Sequence, residues 1–426
     1  MIYFYHLLSL FVAILLLPLF SLIALPSKYK RKGLAHHFGW VPATKISERK
    51  ILWLHALSMG EIVAATPVLK LVRKHNPGLT IALSVTTESG YTTALKMNIA
   101  DNVFFHPLDC LPFTLLALKR INPNLHVVTD TGFWPDLIDV LHRKNIPIIL
   151  FNGRISEKSA RRYLIAGSLF KDTFQKFHHF GMQNNNGEKA ALTLGVDRGH
   201  IDVMGDPKYD AQQPLTDEEK EQLRKNFKLE IGTPVWIAGS THAGEEEIIL
   251  EAHQQLTAEH HNLVLILAPR RIERVEEVAT LLKKRNISFA LRSSLKQAET
   301  VILLDTMGEL AKVYSLGQVA FIGKTLVKPG GGHSLIEPLS YGLPVLHGPF
   351  VENIGHVADK AHELELAITV QNSRDIKEKV YNFLKNKSLR QELKEKALSF
   401  TTEQKGASEK MVGIITKTLT AYPSSQ

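Results

Sequence analysis

The chain has 426 residues, 44% of them hydrophobic, which at roughly 150 residues per domain allows two or three domains with substantial cores. A single cysteine, Cys110, excludes an intrachain disulfide and fits a reducing compartment. The formal net charge of +9 excludes a predominantly acidic surface and favours an anionic partner, which is a membrane surface, a nucleic acid or a phosphorylated substrate.

The first 27 residues predict a membrane anchor. Residues 2–25 contain no charged side chain apart from a protonated His6, and as one helix they would be roughly 36 Å long, enough to cross a bilayer. The basic run 28–32 follows, and positive charge beside a span stays on the cytoplasmic side. We therefore expect a single-pass transmembrane anchor at residues 1–27 and membrane lipids, not nucleic acid, as partners. A helix lying in one leaflet is the alternative, which Pro18 leaves open.

Strand and helix patterns alternate after the anchor. Apolar runs predict strands at 51–57, 79–85, 103–105, 125–129 and 147–151, with helices at 60–75, 89–97, 111–120 and 136–144 between them. Alternation of this kind favours a parallel sheet with helices on both faces. We assign residues 28–208 to a first, Rossmann-like domain.

The alternation restarts after a polar segment at 210–229, which holds a helix candidate at 216–226. Strands are predicted at 234–238, 262–267, 300–304, 319–322 and 343–346, and helices at 245–259, 275–285, 307–315, 334–342 and 409–419. We assign residues 209–426 to a second Rossmann-like domain. Two doubly wound domains that face each other leave a cleft at the carboxyl ends of their strands, where ligands bind in open α/β sheets.

One candidate site follows the first strand. Ser58 and Glu61 have the spacing of a capping box, so a structural role for Glu61 is one interpretation. The other is a carboxylate at the top of the strand that takes a proton from an attacking hydroxyl. The spacing alone leaves both open.

A second candidate is the stretch 321–349, in which a buried strand, a glycine loop and a helix follow one another. Ser334 and Glu337 again have capping-box spacing, with Ser334 as the expected N-cap. Strand, glycine loop and helix N-terminus together predict an anion-binding geometry. An ordinary turn whose glycines serve packing is the alternative.

Two further loops in the second domain carry polar residues. The loop 239–244 precedes an acidic run, Glu245 to Glu247, that suits the first turn of a helix. Arg270 stands at the carboxyl end of a strand, where its planar fork suits phosphate. A surface arginine is the competing interpretation.

Some familiar sites are excluded. Gly323-Lys324-Thr325 resembles the end of a phosphate-binding P-loop, but the required earlier glycine is replaced by Gln318. The adjacent histidine pairs lack metal-site spacing, and no D-x-D triplet occurs. We therefore expect no metal and no cofactor.

Several motifs in a fixed order resemble one family, the 3-deoxy-D-manno-octulosonic acid (Kdo) transferases of lipopolysaccharide synthesis. The resemblance covers almost the whole chain: the anchor, 55–67 (HALSMGEIVAATP), 151–159 (FNGRISEKS), 205–210 (GDPKYD), 239–247 (GSTHAGEEE), 305–310 (DTMGEL) and 321–349. It implies an inverting, membrane-anchored glycosyltransferase of the bacterial inner membrane with a GT-B fold, its first domain binding the acceptor and its second the donor. The implied donor is CMP-Kdo, and the implied acceptor is a lipid A precursor, lipid IVA.

The resemblance also implies roles for individual residues. Glu61 is the general base, and Lys208, from the family's G-x-x-K motif, helps to stabilise developing charge. The CMP contacts fall on Pro269, Arg270, Met307, Gly308, Glu309, Ser334, Leu335, Ile336 and Glu337.

The chain departs from the family where a segment like ETELWPN is usual. Residues 130–136 read DTGFWPD, so Asp130 shortens one acidic side chain and Gly132 removes the other. We take Asp130 as the remaining catalytic acid. This difference from the family segment leaves two other interpretations open. One is a GT-B transferase with a different donor or acceptor, and the other is a membrane-anchored nucleotide-binding protein with little catalysis.

Overall fold

The computed structural model describes residues 1–24, 28–44, 49–165 and 167–422. The chain divides into two compact units. The first comprises Met1–Ala211 together with Gln404–Gln426, and the second comprises Gln212–Glu403.

The first unit contains a seven-stranded parallel sheet in the order β3-β2-β1-β4-β5-β6-β7. Its strands are β1 (Ile51–Ala56), β2 (Thr80–Val85), β3 (Asn102–Phe105), β4 (Leu125–Thr129), β5 (Ile148–Gly153), β6 (His179–Met182) and β7 (Ile201–Val203). Its helices up to residue 211 are α1 (Ile2–Ala24), α2 (Lys28–His37), α3 (Met59–His75), α4 (Glu88–Met97), α5 (Leu111–Ile121), α6 (Pro135–Arg143), α7 (Glu157–Ile165), α8 (Ser168–Phe174), α9 (Asn185–Thr193) and α10 (Lys208–Ala211).

The second unit contains another seven-stranded parallel sheet, in the order β10-β11-β9-β8-β12-β13-β14. Its strands are β8 (Val235–Thr241), β9 (Val264–Pro269), β10 (Phe289–Leu291), β11 (Val301–Leu303), β12 (Val319–Ile322), β13 (Val345–His347) and β14 (Ala367–Thr369). Its helices are α11 (Asp217–Asn226), α12 (Glu245–Glu259), α13 (Val275–Lys284), α14 (Leu310–Val313), α15 (Ile336–Ser340), α16 (Gly355–Glu363), α17 (Ser373–Lys385) and α18 (Lys387–Glu403). A last helix, α19 (Ala407–Ala421), belongs to the first unit.

Strand β1 shows why the central strands are apolar throughout. Its residues alternate between the two faces of the sheet, so Ile51 and Trp53 enter one hydrophobic core while Leu52 and Leu54 enter another. All six residues of the strand are buried, as expected for a parallel sheet covered by helices on both faces. The expectation of two doubly wound, Rossmann-like units is confirmed.

The C-terminal helix α19 packs on the first unit, although the sequence interpretation placed residues 209–426 together in the second. Met411, Val412 and Ile415 enter the same core as Leu52 and Leu54. Asp210 fixes the start of the helix, since its carboxylate accepts hydrogen bonds of 2.7 Å from the backbone N–H groups of Gly406 and Ser408. The assignment missed this return because the contacts are nearly 200 residues apart in sequence.

Among the described residues, no helix is both long enough and apolar enough to cross a membrane. The transmembrane anchor predicted over residues 1–27 is therefore not supported, and residues 25–27 lie outside the described part of the chain.

Helix α1 docks on the first unit through a polar face. The Tyr5 hydroxyl donates to Asp109 Oδ2 at 2.9 Å, His6 Nδ1 lies 2.6 Å from Asp136 Oδ1, and the Ser9 hydroxyl donates to Asp136 Oδ2 at 2.8 Å. Asp136 is fully buried. The opposite face of this helix is apolar and exposed, with Tyr3, Phe4, Leu7, Leu8, Phe11, Val12, Ile14, Leu15 and Leu16.

Candidate active site

Parallel strands end at one edge of each sheet, and the predicted site residues follow those ends. In the first unit Glu61 comes after β1, Asp130 after β4, and Lys208 after β7. In the second unit the loops after β11, β9, β8 and β12 are consecutive along the edge. They hold the predicted donor contacts from Pro269 to Glu337, and we call these four segments the donor loops.

Glu61 lies in the first turn of α3, but not in a capping box. The Ser58 side chain accepts no capping hydrogen bond. The Glu61 carboxylate instead accepts from the Leu57 N–H at 2.7 Å and from the Thr129 hydroxyl at 2.6 Å. Burial raises the pKa of this carboxyl, while these hydrogen bonds and the charge of Arg154 oppose the rise. A raised pKa makes the carboxylate a stronger base.

Asp130 directly follows β4 with a positive φ of 54°. Its Oδ1 accepts a 2.6 Å hydrogen bond from Asn152 Nδ2, and its Oδ2 lies 3.8 Å from Arg154 Nη1. Burial, and next the negative charge of Glu61, raise the pKa of the Asp130 carboxyl to about 7. Two carboxyl groups that repel each other in this way favour holding one proton between them.

Two cations complete the group. Lys208 begins α10, and Asp206 Oδ1 accepts a 2.9 Å hydrogen bond from its backbone N–H. The positive charges of Arg154 and Lys208 act on Asp130 and lower its pKa, against the larger effect of burial. The structure thus brings together Glu61, Asp130 and Lys208, and adds Arg154. We call these four residues the carboxylate site.

Arg154 was not among the predicted catalytic residues. In the sequence Arg154 belongs to the family motif 151–159 and to a basic cluster with Lys158, Arg161 and Arg162, and such clusters are more often solvated faces. Its position directly after β5, beside the end of β4, was the usable signal, since adjacent parallel strands end at neighbouring points.

Arg270 follows β9 in the second unit and is exposed. Its backbone N–H donates to the carbonyl of Thr241 at 3.0 Å, which joins it to the last residue of β8. Pro269 is the last residue of β9 and is buried. An exposed guanidinium at the carboxyl edge of a sheet can meet a phosphate group with two parallel hydrogen bonds.

Met307, Gly308 and Glu309 form a turn before α14. The helix predicted over 307–315 begins only at Leu310, because Gly308 adopts a left-handed φ of 86°. Met307 is exposed. Glu309 is held by the Thr306 hydroxyl at 2.5 Å and by Arg292 Nη2 at 3.1 Å.

The capping box predicted at Ser334 and Glu337 is absent. Helix α15 starts at Ile336, with Leu335 as its N-cap, and has only five residues. The Ser334 hydroxyl accepts a 3.3 Å hydrogen bond from the Ile336 N–H, two residues on. The side chains of Leu335 and Ile336 are buried, so only their backbone is available to a ligand.

Glu337 lies near enough to Tyr314 and Tyr341 for its charge to act on both side chains. Its charge contributes to raising the pKa of Tyr314, although burial is the larger cause. The Tyr314 hydroxyl occupies the space where a side chain at Gly239 would stand, since a Cβ there would be 1.9 Å away. Only glycine is compatible with this contact.

Within the described ranges, no group of three or more His, Cys, Asp or Glu residues is arranged to hold a metal ion.

The fold, two units that each contain a seven-stranded parallel sheet, is shared with solved structures. The solved structure of UDP-GlcNAc 2-epimerase from Neisseria meningitidis has a TM-score of 0.60, with 14% identity, and covers 87% of this chain and 100% of that one. A glycosyltransferase of kitacinnamycin has a TM-score of 0.55 at 11% identity, covering 89% and 99%. At such identities the likeness shows the fold alone.

Sequence comparison is more specific. The family profile described as 3-deoxy-D-manno-octulosonic-acid transferase (kdotransferase) matches residues 32–211. The 3-deoxy-D-manno-octulosonic acid transferase of Haemophilus influenzae is 34% identical over 424 residues, 97% of both chains, and that of Chlamydophila psittaci is 29% identical over 77% of this chain and 76% of its own. The chain belongs to the 3-deoxy-D-manno-octulosonic acid transferase family.

Proposed function

We propose that this chain is an inverting glycosyltransferase that moves Kdo from CMP-Kdo to a lipid A precursor, lipid IVA, in lipopolysaccharide biosynthesis. The proposal extends family membership to a particular donor and acceptor. The observation that supports it most is the carboxylate site, where a buried Glu61 of raised pKa stands beside a second carboxyl and two cations.

The acceptor hydroxyl is the nucleophile. Glu61 accepts its proton, and the hydroxyl oxygen forms the new bond to the anomeric carbon of Kdo. Thr129 and Leu57 N–H, at 2.6 and 2.7 Å, hold the carboxylate in place. Burial raises the pKa of both carboxyl groups, and we propose that Asp130 holds the proton that the pair shares, which leaves Glu61 ionised.

The leaving group departs in the same step, from the opposite face of the sugar. As the bond between the anomeric carbon and the phosphate oxygen breaks, CMP leaves with the bonding pair, and its phosphate gains negative charge. We propose that Arg270, in the donor loops, meets this charge, and that Lys208, whose charge acts on Asp130, helps to stabilise it. Fixed cations of this kind stabilise developing charge without rearranging. We propose that these side chains suffice, and that neither a metal nor a cofactor takes part.

We further propose that α1 attaches the chain to the inner membrane, with the catalytic units in the cytoplasm. The helix binds the protein by its Tyr5, His6 and Ser9 face and leaves its apolar face exposed. The basic run 28–32 follows it, which favours anionic headgroups. This arrangement supports a helix lying in one leaflet, the alternative to a single-pass anchor.

An altered acceptor is the second candidate function, and Gly132 favours it. A Cβ at this position would meet Val128 Cγ1 at 2.9 Å and His55 Cδ2 at 3.1 Å. The space that an acidic side chain would need is therefore filled by the chain's own core. An acceptor that relies on an acid at this position would bind poorly here.

Competition tests the donor assignment, while transfer to lipid IVA separates the two acceptor candidates. CMP and UDP are tested as inhibitors of donor binding by the full chain in detergent, with and without EDTA. The proposal predicts that CMP competes, that UDP competes far less, and that EDTA changes neither result. Competition by UDP alone would overturn the donor assignment.

A further inference from the structure

In the second unit, the end of β8 from Gly239 onward, together with the loop that follows it, touches the loop after β12 through the backbone, and we call these two segments the two loops. The Gly323 N–H donates to the Gly239 carbonyl at 2.9 Å. A Cβ at Gly323 would lie 2.3 Å from the Ser240 carbonyl oxygen, so no larger residue fits without moving one of the loops. The two loops are therefore built as one surface.

Glu245 joins the two loops by four hydrogen bonds. Its Oε2 accepts from the backbone N–H groups of His242 at 2.9 Å and Lys324 at 2.7 Å. Its Oε1 accepts from those of Thr325 at 2.8 Å and Leu326 at 2.9 Å. The side chain is 0% exposed. A position in the first turn of α12 explains an acidic residue, but not a carboxylate that connects two segments 80 residues apart.

Each loop also contains a strained residue. Ser240 has φ 58° and Lys324 has φ 64°, the left-handed region that non-glycine residues seldom adopt. Backbone strain of this kind is kept where the surroundings enforce it, often at ligand sites. Here the four bonds from Glu245 and the contact at Gly323 enforce it.

The loops present a cluster of nitrogen donors. The His242 and His333 rings stack at 5.2 Å between centroids and 25° between planes. His333 Nε2 is buried and has no hydrogen-bond partner among the residues that the structure describes. Burial, and next the positive charges of Arg270, His242 and Lys324, lower the pKa of His333 to about 3. A neutral imidazole beside Arg270 and Lys324 can donate a hydrogen bond to an anion from Nε2 in the tautomer that carries the proton there.

We propose that the loops after β8 and β12 form an oxyanion subsite of the donor site, in which His242, Lys324 and His333 bind an anionic group of the donor and Glu245 is the positioning residue. The subsite rests on the proposed function for the identity of the donor. Two groups of CMP-Kdo have the required chemistry, the phosphate and the sugar carboxylate.

Binding experiments on the full chain in detergent distinguish these sources. The variants are His333→Phe, which keeps the ring and removes the donor, and Lys324→Asn, which removes the charge at a residue type that tolerates positive φ. His362→Phe is the control, because His362 belongs to a second histidine pair in the same unit, with His347.

If the subsite binds the phosphate, both variants weaken CMP affinity about tenfold or more and leave the affinity for cytidine unchanged. If the carboxylate is bound, CMP affinity holds and the KM for CMP-Kdo rises instead.

Unchanged CMP affinity together with unchanged donor KM in both variants overturns the subsite. Failure of the proposed function has a different signature, read by histidine-selective NMR with inorganic phosphate as the probe. If the His333 signal of the wild-type protein responds to phosphate but the protein does not bind CMP, the subsite is supported and the donor assignment is wrong. If the His333 signal does not respond to phosphate and the protein does not bind CMP, both are wrong.

Glu245→Gln tests the positioning role. In the wild-type protein each carboxylate oxygen of Glu245 accepts hydrogen bonds from two N–H groups. The amide nitrogen of glutamine cannot accept hydrogen bonds, so two of the four are lost and the loops separate. We expect the donor KM to rise several-fold while the acceptor KM and kcat change little. Asp101→Asn is the control, since Asp101 also accepts a backbone N–H, from Ile81 at 2.7 Å, but in the first unit. Equal changes in donor and acceptor KM, or the same effect in the control, would mean that Glu245 is only structural.

Discussion

The carboxylate site and the donor loops are built in different ways on the same kind of sheet. The first consists of side chains, Glu61, Asp130, Arg154 and Lys208, which act on each other's charge at the ends of four strands. The second consists largely of backbone, held in place by Glu245 and by glycines that no other residue can replace. Proton transfer needs a tuned pKa, whereas an anion needs fixed N–H groups and cations. The difference fits one unit for the acceptor and one for the donor.

Glu61→Gln should have the largest effect, because the amide cannot take a proton. We expect kcat to fall about 10²–10⁴-fold, the range that general base catalysis supplies, while CMP affinity stays within twofold. Turnover and CMP titration of the same preparation measure both. A loss of CMP binding or of folding would make Glu61 a structural residue.

Arg270→Ala should act on the donor loops and mainly weaken CMP binding, whereas Glu61→Gln mainly lowers kcat. Losing a charge-assisted contact to phosphate is expected to weaken CMP binding about 10–100-fold. Arg271→Ala is the matched control, since Arg271 is the adjacent exposed arginine. If CMP affinity does not change in Arg270→Ala, this residue does not belong to the site.

Asp130→Asn should have a smaller effect, which depends on pH. Its carboxyl has a pKa near 3.9 when unfolded and about 7 when folded, so the folded chain holds a proton that the unfolded chain releases. Wild-type stability therefore falls as pH rises from about 4 to 7, and the asparagine variant lacks this contribution. We expect the Tm of the variant, relative to wild type, to be a few degrees higher at pH 8 than at pH 5. A difference that does not vary with pH would show that the carboxyl titrates normally.

His6→Ala should have the smallest effect and one confined to α1. It removes the 2.6 Å contact with Asp136, so amide exchange in residues 2–16 should rise a few-fold. Leu7→Ala, on the exposed face, should leave exchange unchanged but weaken binding to anionic vesicles. Identical behaviour of the two variants would contradict a helix with one docked face and one membrane-facing face.

The sequence predicted the sheets well, because buried parallel strands are short apolar runs. Strands β4 and β12 and helix α12 were predicted with the bounds that the structure has. The sequence also identified Glu61 and Arg270 as candidates, since Arg270 directly follows β9 and Glu61 lies in the first turn of the helix after β1. These features depend on neighbours within a few residues.

Features that depend on distant contacts were not predictable. The bond from Asp210 to the start of α19 joins residues 196 apart, and the four bonds of Glu245 include three to a loop about 80 residues away. The pattern of Ser334 and Glu337 predicted a capping box, but local turn geometry moves the start of α15 to Ile336. The sequence pattern predicted that all of α1 belongs to an apolar span. Its polar face was not recognised, because the residues that bind it, Asp109 and Asp136, lie more than a hundred residues away in the sequence.

The most direct test is a transfer assay on the purified full chain in detergent. The protein is given CMP-Kdo, generated in place because it is labile, and a tetra-acylated lipid A precursor, and the product mass is measured. We predict a mass increase of one or more Kdo units with wild type and none with Glu61→Gln. No increase with wild type, while CMP still binds, would contradict Kdo transfer to this acceptor and would point to residues 130–132 as the mark of a changed acceptor.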